Sequence, residues 1–236
     1  AKGNGLHCGA TIHGSFGVEW ASKLDFDWIK VASMDHTNTP LLEELIEKIN
    51  VPILISFGMA IEADIERSIS ILKKHKHGFG VFHCLAVYPP SYDEIRMENI
   101  PYLINKFDVP VGFSDHTLES QTAISALYLG AYFFEKHVTW DKNQPGPDHP
   151  FAMEYSEFSE YVSNINSSYN LLKSPEFIEP KGKELVNRKK YLKSITFKSD
   201  FLQGHVIAKD DIYLVRPGEG MPPYELKKVL GSKLKR

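Results

Sequence analysis

The chain has 236 residues, of which 42% are hydrophobic and 24% are charged, a length and balance typical of a globular protein with a sizeable core. Its 27 basic and 30 acidic side chains give a formal net charge of −3, which offers no electrostatic case for nucleic acid or an anionic membrane as a partner. It has no apolar run near the ~20 residues of a membrane span, no signal-peptide segment behind its first residues and only two cysteines, so we expect a cytoplasmic protein.

Short apolar runs alternate with amphipathic segments along the first 172 residues. Six runs predict strands, at residues 6–12, 28–32, 52–57, 80–85, 109–113 and 132–137. The segments between and after them predict helices, at residues 41–49, 61–74, 93–107, 118–129 and 154–172. This alternation indicates βαβ units and a parallel sheet. Six strands leave two architectures open, an open sheet or a (β/α)8 barrel that lacks two βα units.

The sequence changes character after residue 172. Residues 173–190 are rich in Lys, Glu and Pro with little periodicity, which predicts a linker. Residues 191–236 predict a small β-rich module, with strands at 192–197, 206–207 and 212–215, a helix at 224–230 and Gly231 as its C-cap. A module of this size is marginal alone, so we expect it to dock on another surface.

Two histidines follow neighbouring predicted strands. His116 lies in the string SDHT after the fifth strand, and His137 ends the string EKH of the sixth. Because the carboxyl ends of parallel strands meet at one rim, we expect both imidazoles there. Neutral imidazoles beside carboxylates are natural ligands of a divalent cation, and two of them leave coordination positions open for catalysis. The alternative for each is a hydrogen-bonded rim histidine.

Polar side chains also lie at or after the other strand ends, namely Thr11, Lys30, Ser33, Asp35, Ser56, His83, Tyr88, Ser114 and Glu135. A rim with hydroxyls and one lysine suits a phosphate or carboxylate ligand. Lys30 either points inward and pairs with an anion or points outward into solvent. Asp148, in the stiff loop PGPD, is either held in place or a solvated turn residue, and Arg216 either pairs locally or reaches another subunit. Cys84 cannot form a nucleophile pair with the adjacent His83, since neighbouring residues of a strand face opposite sides.

Several strings together resemble the sialic acid synthase family, which includes the N-acetylneuraminate and legionaminate synthases and their spore-coat polysaccharide relatives. The matching strings are KVAS at 30–33, GMA at 58–60, HC at 83–84, YP at 88–89, VPVGFSDHTL at 109–118, EKH at 135–137 and PGPD at 145–148. The tail at 204–218, ending in RPG, is similar to that family's C-terminal antifreeze-like (SAF) domain. The likeness runs through nearly all of the chain in the right order.

The resemblance implies an α/β fold of the TIM (β/α)8 type at residues 1–172, followed by a linker and an SAF domain at 191–236. It implies that about two βα units of the barrel precede the point where this chain begins, which accounts for six strands instead of eight. Those units carry a glutamate and a lysine used in catalysis and in phosphoenolpyruvate binding. The implied assembly is a homodimer in which each SAF domain swaps onto the partner barrel.

The implied reaction condenses phosphoenolpyruvate with an open-chain N-acetylated aldose, such as N-acetylmannosamine, and yields a nine-carbon 2-keto sugar acid and phosphate. A Mn²⁺ or Mg²⁺ ion held by His116 and His137 polarises the aldehyde in that mechanism. The implied catalytic residues are Lys30, His116, Glu135 and His137. The implied phosphoenolpyruvate ligands are Thr11, Lys30, Ser33, Ser56 and Ser114. The implied sugar ligands are Asp35, Tyr88, Glu135, Asp148 and Arg216 of the partner subunit.

Four departures from the family pattern accompany the match. Asp35 stands where a longer glutamate is common, Phe57 replaces a small threonine, and Ala86 stands where some members have asparagine or serine. The string IHG at 12–14 replaces the usual Pro-Phe-Asp. Phe57 and Ala86 lie near the implied phosphate site, so we expect affinity or substrate to differ. The string PGPD favours the sialic or legionaminic type over the pseudaminic type.

Two other functions remain open from the sequence. A synthase that joins phosphoenolpyruvate to a sugar phosphate would need extra basic residues on the rim, and none is in surplus. A non-catalytic relative that binds a carbohydrate or a partner subunit is favoured by the missing strands and the altered rim. The intact Lys30, His116 and His137 oppose that second alternative.

Overall fold

The computed structural model describes residues 1–173 and 179–235. The chain divides into two compact units, Ala1–Ser174 and Pro175–Arg236. This division falls within the predicted linker at 173–190, of which residues 174–178 lie outside the described part. Within the described part, no helix is both long and apolar enough to cross a membrane.

Six parallel strands form the sheet of the first unit, in the spatial order β1-β2-β3-β4-β5-β6. They are β1 (Gly9–Thr11), β2 (Trp28–Val31), β3 (Ile53–Ser56), β4 (Phe79–Cys84), β5 (Val111–Asp115) and β6 (Phe134–Lys136). Each predicted strand overlaps one of these, so the parallel βαβ prediction is confirmed. Because all six strands run in the same direction, their carboxyl ends meet at one rim.

Helices connect the strands and pack on the outer face of the sheet. They are α1 (Ser15–Ala21), α2 (Thr39–Lys48), α3 (Glu62–Leu72), α4 (Asn99–Phe107), α5 (Gln121–Tyr128) and, after β6, α6 (Tyr155–Leu172). The sequence predicts all of them except α1, which buries only Val18 and Ala21 and contains Gly17. A segment of seven residues that includes a glycine has too little apolar periodicity to predict a helix.

The hydrophobic core lies between the sheet and these helices. Alternate strand residues are apolar and buried there, among them Ile29, Val31, Ile53, Ile55 and Val81. Leu42 and Leu45 of α2 and Leu72 of α3 belong to the same cluster. This alternation is the twofold repeat of a strand, and it directs the intervening residues, Lys30 among them, to the inner face.

The sheet is curled rather than flat. Neighbouring strands lie about 4.8 Å apart, so β2 and β6 of a flat sheet would be roughly 19 Å apart, beyond the joint reach of two side chains. Lys30 of β2 nevertheless contacts Glu135 of β6, with Nζ 2.6 Å from Oε2. The inner faces of these strands therefore look at each other across a concave side. Of the two architectures left open by the sequence, the first unit has the barrel-like one, a curled half-barrel of six strands.

The second unit contains a two-stranded antiparallel sheet of β7 (Ser194–Phe197) and β8 (Ile212–Val215), with helices α7 (Lys183–Tyr191) and α8 (Leu226–Val229). The predicted strands at 192–197 and 212–215 are confirmed, and the run at 206–207 contributes only a bridge from Val206 to Lys233. Helix α7 lies where the sequence predicts an irregular linker. The sequence misses it because α7 buries none of its residues and so has no apolar stripe. The SAF assignment stays a prediction.

Candidate active site

A cavity of about 610 Å³ opens at the carboxyl ends of the strands of the first unit. Its walls include nine residues that the sequence predicts for the site, namely Thr11, Lys30, Ser33, Tyr88, Ser114, His116, Glu135, His137 and Asp148. They come from β1, β2, β5 and β6 and from the loops that follow the strands. The structure thus brings these residues together at the predicted rim, while their chemical roles stay predictions.

An ion pair crosses the cavity from β2 to β6. The Lys30 ammonium donates to both carboxylate oxygens of Glu135, and Ser114 Oγ donates to Oε1 of the same carboxylate at 2.7 Å. Lys30 also lies over the Phe82 ring, 5.2 Å from its centroid, and its side chain is only 12% exposed. Of the two orientations considered for Lys30, the structure therefore has the inward one. A buried cation at the wall of a cavity attracts an anionic ligand.

His116 has one ring nitrogen engaged and one left for a ligand. Its Nδ1 lies 2.8 Å from the Leu85 carbonyl oxygen, and Nδ1 must carry the hydrogen because a carbonyl only accepts. Burial lowers the pKa of His116, the hydrogen bond to Leu85 opposes this, and the nearby His137 adds to it. A neutral ring protonated on Nδ1 has its lone pair on Nε2, which is the donor that a divalent cation needs.

His137 lies beside His116 at the same rim, with 5.3 Å between the two ring centroids. The Tyr88 ring packs against both, at 4.1 Å from the His116 ring and 6.1 Å from the His137 ring. His137 Nδ1 is 3.8 Å from a carboxylate oxygen of Asp148. Burial raises the pKa of the Tyr88 hydroxyl, so this group keeps its proton and can donate to a ligand.

The two histidines fit a catalytic metal better than a structural one. Among residues 1–173 and 179–235, no group of three or more His, Cys, Asp or Glu side chains has the arrangement of a metal site. The candidate donors at the cavity are the imidazoles of His116 and His137, and their binding of a metal stays a prediction. Such a pair on an open cavity suits a divalent ion whose other positions are filled by water and substrate oxygens, whereas a closed structural site needs four protein ligands.

Ser33 ties the loop after β2 to the loop after β3. Its Oγ accepts a hydrogen bond from the Gly58 N–H at 3.0 Å. A Cβ at position 58 would lie 2.7 Å from that oxygen, so the close approach requires glycine. The next residue, Met59, has φ of 65°. The GMA string that supports the family resemblance thus has a structural cause in this contact.

Cys84 lines the cavity, but its thiol keeps its proton, whereas a nucleophile needs the deprotonated thiolate. Burial raises the pKa of its thiol, and hydrogen bonds with Ser33 and Ser114 oppose this more weakly. His83 faces the other side of β4, where its Nε2 donates to the Ile95 carbonyl oxygen. A buried thiol that keeps its proton, without a base beside it, is inert, as the sequence predicts for Cys84.

Three described residues that the sequence predicts for substrate binding do not line the cavity. Ser56 lies at the end of β3, and its buried Oγ has no hydrogen-bond partner among the described residues. Asp35 accepts a hydrogen bond from His13 Nδ1 at 2.8 Å, and His13 is the member of this pair that lines the cavity. Arg216 belongs to the second unit, with its guanidinium carbon 5.1 Å from the Tyr191 ring centroid. His13 is a candidate site residue that the sequence analysis misses, although it stands in the aberrant string IHG.

A second polar cluster lies on the outer side of the same strand ends. Asp115 is fully buried and accepts hydrogen bonds from Thr117 N–H at 2.9 Å, Thr117 Oγ1 at 2.7 Å and the Tyr161 hydroxyl at 3.1 Å. Lys136 Nζ lies 3.3 Å from its Oδ2. Burial lowers the pKa of Lys136 and raises that of Tyr161. Asp115 follows Ser114 and precedes His116 in the string SDHT, and strand alternation assigns Asp115 and His116 to opposite faces of the sheet, so Asp115 is not a carboxylate beside the His116 imidazole at the cavity.

Comparison with known proteins agrees with this arrangement. Residues 1–176 match the model of the NeuB family. The chain belongs to the NeuB family. The resemblance to sialic acid synthases is thereby confirmed for the half-barrel, while the NeuB match ends at residue 176 and leaves the SAF assignment untested.

Three NeuB relatives illustrate the likeness. The N,N'-diacetyllegionaminic acid synthase of Legionella pneumophila is 33% identical over 222 residues, 92% of this chain and 62% of that protein. A pseudaminic acid synthase of Campylobacter jejuni is 27% identical over 234 residues, 99% of this chain and 67% of that protein. The crystal structure of the N-acetylneuraminic acid synthetase from Leptospira borgpetersenii, in complex with citrate, has a TM-score of 0.69 at 28% identity, covering 75% of this chain and 61% of that one. The chain thus spans less than two thirds of the first and third relatives.

Proposed function

We propose that this chain contributes the catalytic half-barrel of a synthase that joins phosphoenolpyruvate to an open-chain N-acetylated aldose. The products are phosphate and a nine-carbon 2-keto sugar acid of the sialic or legionaminic type. The observation that carries the proposal is one cavity that holds the Lys30–Glu135–Ser114 cluster together with the pair His116 and His137. The names of the relatives, synthases of legionaminic and pseudaminic acids, support this class of reaction.

Phosphoenolpyruvate carries a phosphate and a carboxylate, so its site needs a cation and several hydrogen-bond donors. Lys30 supplies the cation. The proposed hydroxyl donors are Thr11, Ser33 and Ser114, which line the cavity, and Ser56, which lies at the end of β3. The Lys30 ammonium already donates hydrogen bonds to the Glu135 carboxylate in the structure. An anionic ligand that binds here would therefore share the Lys30 ammonium with Glu135. Ser56 lies at the end of β3 outside the lining of the cavity, and its Oγ has no hydrogen-bond partner among the described residues, which leaves it free to bond to a ligand that reaches this strand end.

In the proposed reaction, C3 of phosphoenolpyruvate forms a bond to the aldehyde carbon of the sugar, water adds at C2, and the C–O bond to phosphate breaks. A Mn²⁺ or Mg²⁺ ion held by His116 and His137 would supply Lewis acidity at the aldehyde oxygen. The Leu85 carbonyl keeps His116 in the tautomer that such a site uses. Glu135, Asp148 and Tyr88 offer carboxylate and hydroxyl partners for sugar hydroxyls, while the Tyr88 ring packs against the carbon chain of the sugar.

The proposed assembly is a homodimer in which the second unit completes the site of the other subunit. Residues 175–236 form a compact unit of their own, which is consistent with a separate module. In this proposal Arg216 of the partner subunit contacts the N-acetyl group of the sugar. Light scattering tests the assembly, since a monomer at assay concentration contradicts it.

Phosphate release tests the proposed function. The full-length gene product is incubated with phosphoenolpyruvate and Mn²⁺, with N-acetylmannosamine or a diacetamido aldose as the acceptor. We expect aldose-dependent release and a loss of roughly 100-fold or more in His116→Ala, because one of the two proposed ligands of the metal that would activate the carbonyl is lost. His75→Gln is the matched control. His75 is also buried, but it bonds to the Val51 carbonyl near the amino end of β3, so turnover should persist.

Other outcomes identify the alternatives. Aldose-dependent release at equal rates in the wild type and His116→Ala contradicts the mechanism. A protein that binds phosphoenolpyruvate in calorimetry and turns over no aldose is a non-catalytic relative. A preference for a phosphorylated aldose identifies the sugar-phosphate class instead.

A further inference from the structure

The two strings that carry the site histidines, SDHT and EKH, alternate between the faces of the sheet. Ser114 is the register partner of Glu135, and their side chains meet on the inner face. Asp115 is the register partner of Lys136, and their side chains meet on the outer face, with Nζ and Oδ2 3.3 Å apart. Two successive rungs of the β5–β6 pairing therefore have polar side-chain contacts on opposite sides of the sheet.

Asp115 is the centre of the outer contact. It has no exposure to solvent, and besides Lys136 its carboxylate accepts hydrogen bonds from Thr117 and Tyr161. A carboxylate with donors from a strand, a loop and a helix has little freedom to move. One donor is the N–H of Thr117, the residue after His116. The backbone on the carboxyl side of His116 is thus held by Asp115.

Lys136 links this cluster to the other histidine. Its Nζ donates to the Thr117 carbonyl oxygen as well as to Asp115, and its side chain is 2% exposed. Lys136 immediately precedes His137 in the chain. The cluster therefore joins the turn that contains His116 to the strand end that contains His137.

We propose that Asp115 is a positioning residue that, with Lys136, locks the ends of β5 and β6 in register from the outer face and so sets the separation of the His116 and His137 rings. Asp115 does not line the cavity and acts through His116 rather than on substrate. The inference deepens the proposed function, on which its kinetic test rests. Its structural test is independent of that function.

Asp115→Asn removes the charge and keeps the size and one acceptor oxygen. In a crystal structure of the variant we expect the His116–His137 ring separation, 5.3 Å in the unmodified chain, to change by about 1 Å. A misplacement of that size lowers kcat by about 10–100-fold per folded molecule. KM for phosphoenolpyruvate should change less than kcat, because Ser114 is the proposed phosphoenolpyruvate ligand on β5, whereas Lys30 lies on β2 and Ser33 directly after it.

If Asp115 only stabilised the fold, Asp115→Asn would lower stability without changing kcat. His75→Gln is the control that shows this behaviour. That variant loses a buried polar contact near the other end of the sheet, so it should lose stability while kcat and the ring separation stay unchanged. Asp115→Asn with unchanged rings and unchanged kcat at a similar loss of stability overturns the proposal. If Asp115→Asn does not fold, Tyr161→Phe removes a single donor and should shift both readouts in the same direction by less. If the unmodified enzyme has no turnover, the proposed function fails, and the ring separation alone decides the positioning role.

Discussion

Asp115 and Glu135 are carboxylates on neighbouring strands that end at the same rim, yet their surroundings differ. Asp115 is fully buried among donors from Thr117, Tyr161 and Lys136. The side chain of Glu135 remains 29% exposed and borders a cavity of about 610 Å³. The Asp115 carboxylate thus has all its partners within the protein, whereas the Glu135 carboxylate is also accessible to a ligand in the cavity.

The inner and outer clusters should respond differently to substitution. The outer cluster, formed by Asp115, Thr117, Lys136 and Tyr161, has its donors paired, so its loss should lower folding stability in addition to the effect on kcat expected of Asp115→Asn. The inner cluster, formed by Lys30, Ser114, His116, Glu135 and His137, keeps groups for a ligand, such as the His116 Nε2 lone pair. Its loss should appear as lost binding, with a smaller effect on stability.

Lys136→Met should have the largest effect on stability. It leaves Asp115 buried without its cation, and breaking a buried ion pair in this way costs about 3–5 kcal/mol. Urea unfolding followed by fluorescence measures the loss. Lys106→Met is the matched control, since Lys106 pairs with Glu62 and Glu66 at the surface, where such pairs contribute at most about 1 kcal/mol. Equal losses in the two variants would erase the distinction between the outer cluster and an ordinary surface pair.

His137→Gln tests the inner cluster for metal. We expect Mn²⁺ affinity, measured from the free Mn²⁺ signal in electron paramagnetic resonance, to fall by about 10–100-fold because one of two imidazole donors is lost. Thermal stability should change little, since His137 is only half-buried. His149→Gln is the control, because His149 bonds to Thr139 nearby without lining the cavity. Unchanged Mn²⁺ affinity in His137→Gln would remove the metal from the proposal.

Ser56→Ala should lower the affinity for phosphoenolpyruvate without lowering the stability of the fold. The Ser56 hydroxyl is buried and has no hydrogen-bond partner within residues 1–173 and 179–235, so its removal should leave the free energy of unfolding unchanged or raise it slightly. Phosphoenolpyruvate affinity, measured by calorimetry, should fall by about 10-fold with the lost hydrogen bond. Ser68→Ala is the counterpart. Ser68 is equally buried but donates to the His36 carbonyl oxygen, so its loss should cost about 1 kcal/mol of stability. A stability loss in Ser56→Ala as large as in Ser68→Ala would mean that Ser56 has a structural partner.

The pH dependence of stability gives the smallest expected effect. Burial lowers the pKa of His83 below its ordinary value of about 6.5, and the bond to Ile95 opposes this. As pH falls below 6.5, the unfolded chain takes up a proton that folded His83 refuses, so stability declines until the pH reaches the folded pKa. One histidine adds at most about 1.4 kcal/mol per pH unit to this slope. His83→Gln should flatten the curve between pH 7 and 5, and an unchanged slope would assign the effect to other groups.

Secondary structure in the half-barrel was predictable where periodicity was strong. The six strands and five of its helices follow from apolar runs and amphipathic spacing. Helices α1 and α7 escape prediction because α1 is short and contains Gly17, while α7 has no buried face. Curvature was not predictable from periodicity, since alternation is the same in flat and curled sheets. It became evident only from the contact between Lys30 and Glu135.

The membership of the site was more predictable than its contacts. Strand-end positions and the family strings select most of the residues that line the cavity. They leave the direction of Lys30 open, and they select Asp35, whereas the cavity is lined by its hydrogen-bond partner His13. The pairing of Asp115 with Lys136 follows from alternation together with register, and register is set by packing across the sheet.

The Lys30–Glu135 pair joins residues 105 positions apart, whereas each strand of the sheet pairs with the next one in the chain. Assembly of the sheet strand by strand needs only the closure of short loops, and the contact across the concave side is made after the strands between are in place. Interactions that form after the rate-limiting step slow unfolding without accelerating folding. We therefore expect the energy of this ion pair to act on the lifetime of the folded half-barrel rather than on the time needed to reach it.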